Sequence, residues 1–207
     1  MLTRNILYTI GHSNSDPDAF LDALRRCEVC LLADVRSRPR SFRFPHFSQP
    51  EFEQWLREAG IGYLFLGEEL GGRPDDPKAY RPDGMVDYRE RRKSFGFSAG
   101  IERVLCELEG QNLALLCAEE DPIECHRFLM ICPELVARDV QPQHIRKGGW
   151  LESQREAEDR LLEAHHFHDV ASHSLFAAGR AAALEDACIA QAEKCAFRAD
   201  PQAVEYW

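Results

Sequence analysis

The stretch Leu113–Arg127, LALLCAEEDPIECHR, decides how the chain is read. LALLC is an apolar run without polar alternation, which suits a strand buried on both faces of a parallel sheet. Directly after it, Asp121, Pro122 and Glu124 stand as N-cap, first helical residue and third-position acid. A helix is therefore expected over 122–138, with Phe128, Leu129, Cys132, Leu135 and Val136 on its apolar stripe. A buried strand that runs into a capped helix is half of a βαβ unit, so the rest of the chain should alternate in the same way.

It does so upstream. Leu7–Gly11 reads as a strand, followed by a helix that starts with Asp16 as N-cap and Pro17, and buries Phe20, Leu24 and Cys27. Residues 30–35, CLLADV, read as the next strand. Ser48 and Glu51 form a capping box for a helix bearing Phe52, Trp55, Leu56 and Ala59, and Tyr63–Leu66 is a third strand. Residues 67–93, with Gly71-Gly72, three prolines and the basic cluster Arg89, Arg91, Arg92 and Lys93, break the rhythm and read as a lid, a binding loop or disorder. A helix resumes with Ile101, Val104, Leu105 and Leu108.

Downstream, a weak strand lies near Gln143–Arg146, and no strand signal follows Gly148-Gly149. Residues 151–165 and about 176–198 read as helices rich in alanine and charge. The expectation is a three-layer, doubly wound α/β domain, residues 1–149, with a mostly parallel sheet of about five strands, followed by an acidic helical extension, residues 150–207. Three strand ends carry unusual residues: Gly11-His12-Ser13, Asp34-Val35-Arg36-Ser37 and Cys117-Ala118-Glu119. If they form one site outside the carboxyl ends of the strands, an order 3-2-1-4-5 brings them together.

The chain has 207 residues and a formal net charge of -10, long enough to bury a core without disulfides. Its eight cysteines are then read as reduced thiols of a cytoplasmic protein, since the apolar run in MLTRNILYTIGH is too short for a signal peptide and no stretch reaches a membrane span. An acidic chain lacks the positive field needed for broad, sequence-blind binding to nucleic acid or anionic membrane. The charge is uneven, however. Residues 150–207 hold 11 acidic and 5 basic side chains, whereas residues 30–48 carry Arg36, Arg38, Arg40 and Arg43 against Asp34 alone.

Within DVRSRPRSFRFPHF, residues 34–47, arginines suited to phosphate or carboxylate alternate with Phe42, Phe44 and Phe47, and Arg38-Pro39 and Phe44-Pro45 favour an extended loop. The competing reading is a solvated arginine loop anchored by its phenylalanines. Cys117, at the foot of an expected helix N-terminus, is a candidate nucleophile whose thiol that terminus would acidify, although Glu119, Glu120 and Asp121 oppose ionisation and a buried core cysteine is the plainer reading. The spacing is not the C-x5-R of thiol phosphatases, because Ile123 stands where arginine is needed. His12 or His126 is the candidate acid–base, Asp34 and Glu119 the orienting carboxylates, and Arg36, Arg38, Ser41 and Arg127 the substrate-binding set.

Zinc held by Cys117, Cys125 and His126, with Glu119 and His12 as further donors, is the alternative, although Cys125 falls on the helical stripe and reads first as core. Cys27-x-x-Cys30 has no second pair, and Cys188, Cys195, His165, His166, His168 and His173 have mixed spacing, so both are weak metal candidates.

TIGHS (9–13), DVRSRPRS (34–41), F-x-x-x-L-x-x-x-G-I-x-Y (52–63), L-G-G (70–72) and CAEEDPIECHR (117–127) together resemble the uncharacterised bacterial domain-of-unknown-function family four-eight-eight, over roughly residues 6–147. The resemblance implies a small α/β domain and a shared site built on the motif positions His12, Asp34, Arg36, Ser41, Cys117, Glu119, Cys125, His126 and Arg127. It supplies no substrate.

The leading functional expectation is a cytosolic enzyme, hydrolase or thiol-dependent transferase, acting on an anionic, phosphate-bearing substrate such as a nucleotide or nucleic-acid end. The sequence requires no cofactor for it. The alternatives are a non-catalytic module for nucleic acid or a protein partner, and a metal-binding protein. No membrane partner is expected, and the C-terminal helices offer a surface for self-association.

Overall fold

The computed structural model describes residues 5–167 and 177–199. One six-stranded sheet organises them: β1 (Leu7–Gly11), β2 (Leu31–Asp34), β3 (Gly62–Phe65), β4 (Leu113–Cys117), β5 (Gln143–Ile145) and β6 (Leu151–Ser153), in the order β3-β2-β4-β1-β5-β6. All pairs are parallel except β5 with β6.

This order corrects the expected 3-2-1-4-5. β4 lies between β1 and β2, with Leu115 opposite both Thr9 and Ala33. The all-apolar LALLC is the best-buried strand of the sheet and takes its middle, where both faces are covered. The carboxyl ends of β1, β2 and β4 are still neighbours, and Cys117, instead of His12, stands at their centre.

Alternation along β4 feeds two cores. Leu113, Leu115 and Cys117 face the layer that contains Leu70, Phe97, Ile101, Val104 and Leu135. Ala114 and Leu116 face α1 (Pro17–Arg26) and α2 (Glu51–Glu58) through Phe20, Leu24, Phe52 and Leu56. The expected cap of α1 is present: the Asp16 carboxylate accepts from the backbone N–H of Asp18 and Ala19, each at 3.1 Å. The expected capping box of α2 is not. Pro50 precedes the helix without a side-chain cap, and the Ser48 hydroxyl bonds Ser41 instead.

Residues 67–93 are not an open loop. Short helices α3 (Gly67–Leu70) and α4 (Tyr88–Arg92) lie there, and Arg91 donates to the carbonyls of Glu68 and Glu69 at 2.8 and 2.6 Å. α5 (Phe95–Gly110) follows. The single helix expected over 122–138 is three pieces: a 3-10 turn Pro122–Glu124, a π-helical turn Arg127–Ile131, and α6 (Cys132–Val136). Pro133 has no N–H to continue a regular ladder, and wider turns re-aim the side chains before it.

β6 is a strand that the sequence reading lacked. Its central residue, Glu152, is buried and paired with Arg146 and Arg160, so no apolar pattern marks it. α7 (Gln154–Ala164) and α8 (Ala177–Cys195) then pack Ala157, Leu161, Leu162, Ala183 and Ala187 against Ile123, Phe128 and Leu129. After α8, Phe197 and Ala199 bond the backbone of Val86 and Gly84. No helix among the described residues is long and apolar enough to cross a membrane.

Candidate functional site

The centre of the sheet's carboxyl edge holds Cys117, Glu119, Cys125 and His126, whose ligand-type atoms all lie within 4.8 Å of one another. Cys117 ends β4. Glu119 is on the turn after it, and Cys125 follows the 3-10 turn capped by Asp121, whose carboxylate accepts from the Ile123 N–H at 3.2 Å. The Cys117 thiol is 2.8 Å from Glu119 Oε2, and His126 Nδ1 is 3.6 Å from Cys117 Sγ and 3.7 Å from Cys125 Sγ. The other ring nitrogen, Nε2, donates to the Val35 carbonyl at 3.0 Å, which aims Nδ1 at both sulfurs. Gly72 packs so closely on this ring that a Cβ there would fall 2.9 Å from His126 Cγ.

Burial pushes the Cys117 thiol well above its ordinary value, with the charges of Cys125 and Glu119 adding to it. This is the reverse of the acidified thiol expected at a helix N-terminus; the segment that follows is a single 3-10 turn, which has little dipole to offer. The acidic thiol is Cys125. Burial opposes its ionisation, but its contact with Cys117 and the positive charges of Arg127 and His126 outweigh burial and lower it. His126 is raised against the pull of burial, chiefly by the charge of Cys125. Although Glu119 as a residue reaches solvent, desolvation of its carboxylate beside the cluster opposes ionisation, yet the charge of His126 and the bond from Cys117 hold it down to about 2.

The expected arginine clamps face inward. Arg127 is fully buried: it donates to the carbonyls of Glu119 at 2.6 Å and Glu120 at 2.8 Å and to Thr9 Oγ1 at 3.2 Å. It fixes the loop that carries Glu119. Gly11 meets the same loop, where a Cβ would come within 1.6 Å of the Glu119 carbonyl oxygen. Arg36, also buried, grips Asp34 through Nε and Nη2, at 2.9 and 2.6 Å, and reaches the Phe47 carbonyl at 2.9 Å and His12 Nε2 at 3.2 Å. Tyr63 donates to the same Asp34 carboxylate at 2.8 Å.

His12 stacks on Phe47 and contacts the Ser13 carbonyl through Nδ1 at 3.0 Å; burial, with the charge of Arg36, lowers it to about 4. It is a neutral acceptor from Arg36 at neutral pH; its backbone N–H bonds the Cys117 carbonyl at 3.0 Å, but its ring is not one of the four clustered groups. Ser41 braces its own loop, accepting from the Phe44 N–H at 3.1 Å. Arg38 is exposed.

Cys27 is buried and Cys30 exposed, and neither belongs to a metal-type cluster. His165 bonds Gln191 at 2.9 Å, and Cys188 and Cys195 join no cluster among the described residues; His168 and His173 lie outside those residues. The sequence offers Cys125 both as core and as a zinc ligand; the structure buries it in the core and also brings its sulfur into the cluster. The signal that did mark it is the Cys-x-Glu-x5-Cys-His spacing inside one turn between strand and helix.

Fold and site together define a largely parallel α/β protein with a thiol–imidazole–carboxylate cluster at its central strand. The chain belongs to the family Domain of unknown function DUF488, whose model matches residues 16–131 and thus includes all four cluster residues. Neither a curated protein nor a solved structure is matched by the chain.

Proposed function

We propose that the protein is a metalloprotein whose Cys117, Cys125, His126 and Glu119 bind one zinc-like divalent ion. The observation that carries this reading is the gathering of two sulfurs, one imidazole nitrogen and one carboxylate oxygen within 4.8 Å of one another. Metal–ligand bonds of about 2.0–2.3 Å place tetrahedral ligands about 3.3–3.8 Å apart. The two sulfur–nitrogen separations, 3.6 and 3.7 Å, are in that range. The shorter contact between Cys117 and Glu119 is a hydrogen bond that opens when an ion replaces the thiol proton. The donor set is soft enough for zinc, and the His126 bond to Val35 supplies the orienting partner that a ligating imidazole needs.

Glu119 is the one exposed member of the four. An ion held by three buried ligands and one carboxylate at the solvent edge has an exchangeable position, where a water or an anionic substrate can enter. That joins the metal reading to the expectation of an enzyme for an anionic substrate. A second reading, a thiol-dependent enzyme, is favoured by the acidic Cys125 beside a raised His126, but Cys125 is itself buried.

Elemental analysis of protein purified without chelator, with cobalt(II) substitution to detect thiolate charge-transfer bands, tests the proposal. One ion per chain is expected, lost in Cys117→Ser and Cys125→Ser and kept in Glu119→Gln. Substoichiometric metal after reconstitution, with alkylation of Cys125 at a rate that follows an acidic thiol, favours the second reading instead.

A further inference from the structure

The loop from Arg38 to Phe47 is left unused by the metal site, and its surface differs from the rest of the chain. Phe42 is 97% exposed, the most exposed of the large hydrophobic side chains among the described residues. Arg38, Arg40 and Arg43 around it are exposed and make no ion pair among the described residues, although the chain has an excess of carboxylates. Residues 35–50 contain no acidic residue, and of the next two carboxylates Glu53 is already engaged by Arg57 and Gln49.

The loop is nevertheless braced. Arg36 ties its beginning to the Phe47 carbonyl, the Ser48 hydroxyl accepts from the Ser41 N–H at 2.8 Å, and the Gln49 N–H reaches the Pro39 carbonyl at 2.9 Å. Phe47 is buried against Phe20 and Phe52, and Arg43 lies over Phe44. A flexible loop would fold an exposed phenylalanine back onto apolar surface; this one presents it to solvent between unpaired cations.

We infer that this loop is a binding site for single-stranded nucleic acid, with a base stacked on Phe42 and neighbouring phosphates held by Arg38, Arg40 and Arg43. Stacking on an aromatic ring combined with backbone contacts from arginine is the chemistry that single strands select. Three cations in an acidic protein give a modest, salt-sensitive affinity, in keeping with the exclusion of broad electrostatic binding. The inference is independent of the metal centre.

Fluorescence anisotropy of a labelled oligothymidylate with the full chain tests it, from low to physiological salt. The expected slope of log K against log salt is about −2 for three phosphates, reduced by about 0.7 in Arg40→Gln and again in Arg43→Gln. Phe42→Ala should weaken binding about tenfold or more, and Phe42→Trp should restore it. Phe42 packs on nothing, so these variants leave the fold intact. The inference is overturned if the oligonucleotide does not bind at low salt, if Phe42→Ala binds as well as the parent, or if phosphatidylserine vesicles bind through these residues and the oligonucleotide does not.

Discussion

Thr9 Oγ1 lies 2.8 Å from Nδ1 of His144, in the core between β1 and β5. The same oxygen accepts Arg127 Nε at 3.2 Å, so its proton is directed at His144, and the other ring nitrogen faces Gln154 Oε1 at 3.2 Å. Gln154 reaches Glu158, and Arg180 on α8 donates to that carboxylate at 3.1 Å. One hydrogen-bonded line thus connects the arginine behind the thiol cluster to the C-terminal helices. It requires His144 to be neutral.

Stability should therefore fall on mild acidification. Burial, with the charge of Arg127, lowers His144 to about 3, and His12 is lowered to about 4. Above the unfolded value of about 6.5 neither state binds these protons. Between about 6.5 and 4 the unfolded chain takes them up and the folded chain does not, so unfolding becomes easier by up to about 1.4 kcal/mol per pH unit for each histidine. In the metal-free chain His126, raised in the fold, adds little slope in that window because both states are protonated. Urea denaturation at neutral pH and near pH 5 measures the effect, and His144→Gln should remove its share; equal stability at the two pH values contradicts the expectation.

Asp34→Asn should be strongly destabilising. The buried Arg36 guanidinium loses its charged partner while Tyr63 loses a carboxylate acceptor. Breaking a buried pair on one side costs about 3–5 kcal/mol. Chemical denaturation would read this as a lower midpoint, and Asp34→Asn combined with Arg36→Met should recover part of the loss.

Gly11→Ala places a methyl group on the Glu119 carbonyl, a backbone atom that Arg127 holds in place. The turn must then shift or the strand end must open. A loss of about 2–3 kcal/mol in stability is expected from forced overpacking, together with weaker metal binding. A variant of parental stability and metal content would show that the turn is not tied to β1 as described.

Much of this architecture is legible from residue patterns. β1 coincides with the strand read at Leu7–Gly11, β4 with its continuous apolar run, and α1 begins where Asp16-Pro17 announces it. Strand order is not legible in the same way, because β1, β2 and β4 all read simply as strands and nothing local says which is central. β6 escapes because its buried residue is a glutamate satisfied by two arginines. At the site, arginine beside a strand end suggests an anion, but a sequence does not say that Arg36 is occupied by Asp34, two residues earlier. Cys125 is legible both as core and as a ligand, and the choice depends on a segment that one regular helix does not describe, because it contains both a 3-10 and a π turn.

Residues 1–149 alone should not form a stable unit. Removing 150–207 uncovers Ile123, Phe128 and Leu129 and takes away Gln154, Glu152 and Arg160, the partners of His144, Arg146 and Asp121. Loss of a cooperative thermal transition in the truncated chain is the expected result, and a sharp transition near that of the full chain would refute it.

The position of β4 between β1 and β2 has a kinetic consequence. Cys117, at the end of a central strand, cannot be displaced without disturbing neighbours on both sides, while Arg127 ties the Glu119 carbonyl and Val35 at the end of β2 ties the His126 ring, so these donors are held in place once the sheet has formed. Capture of an ion there would not wait for a conformational search. Its rate would be governed by stripping water from the ion and by releasing protons from Cys117 and His126, and would rise with pH while the surrounding structure stayed still.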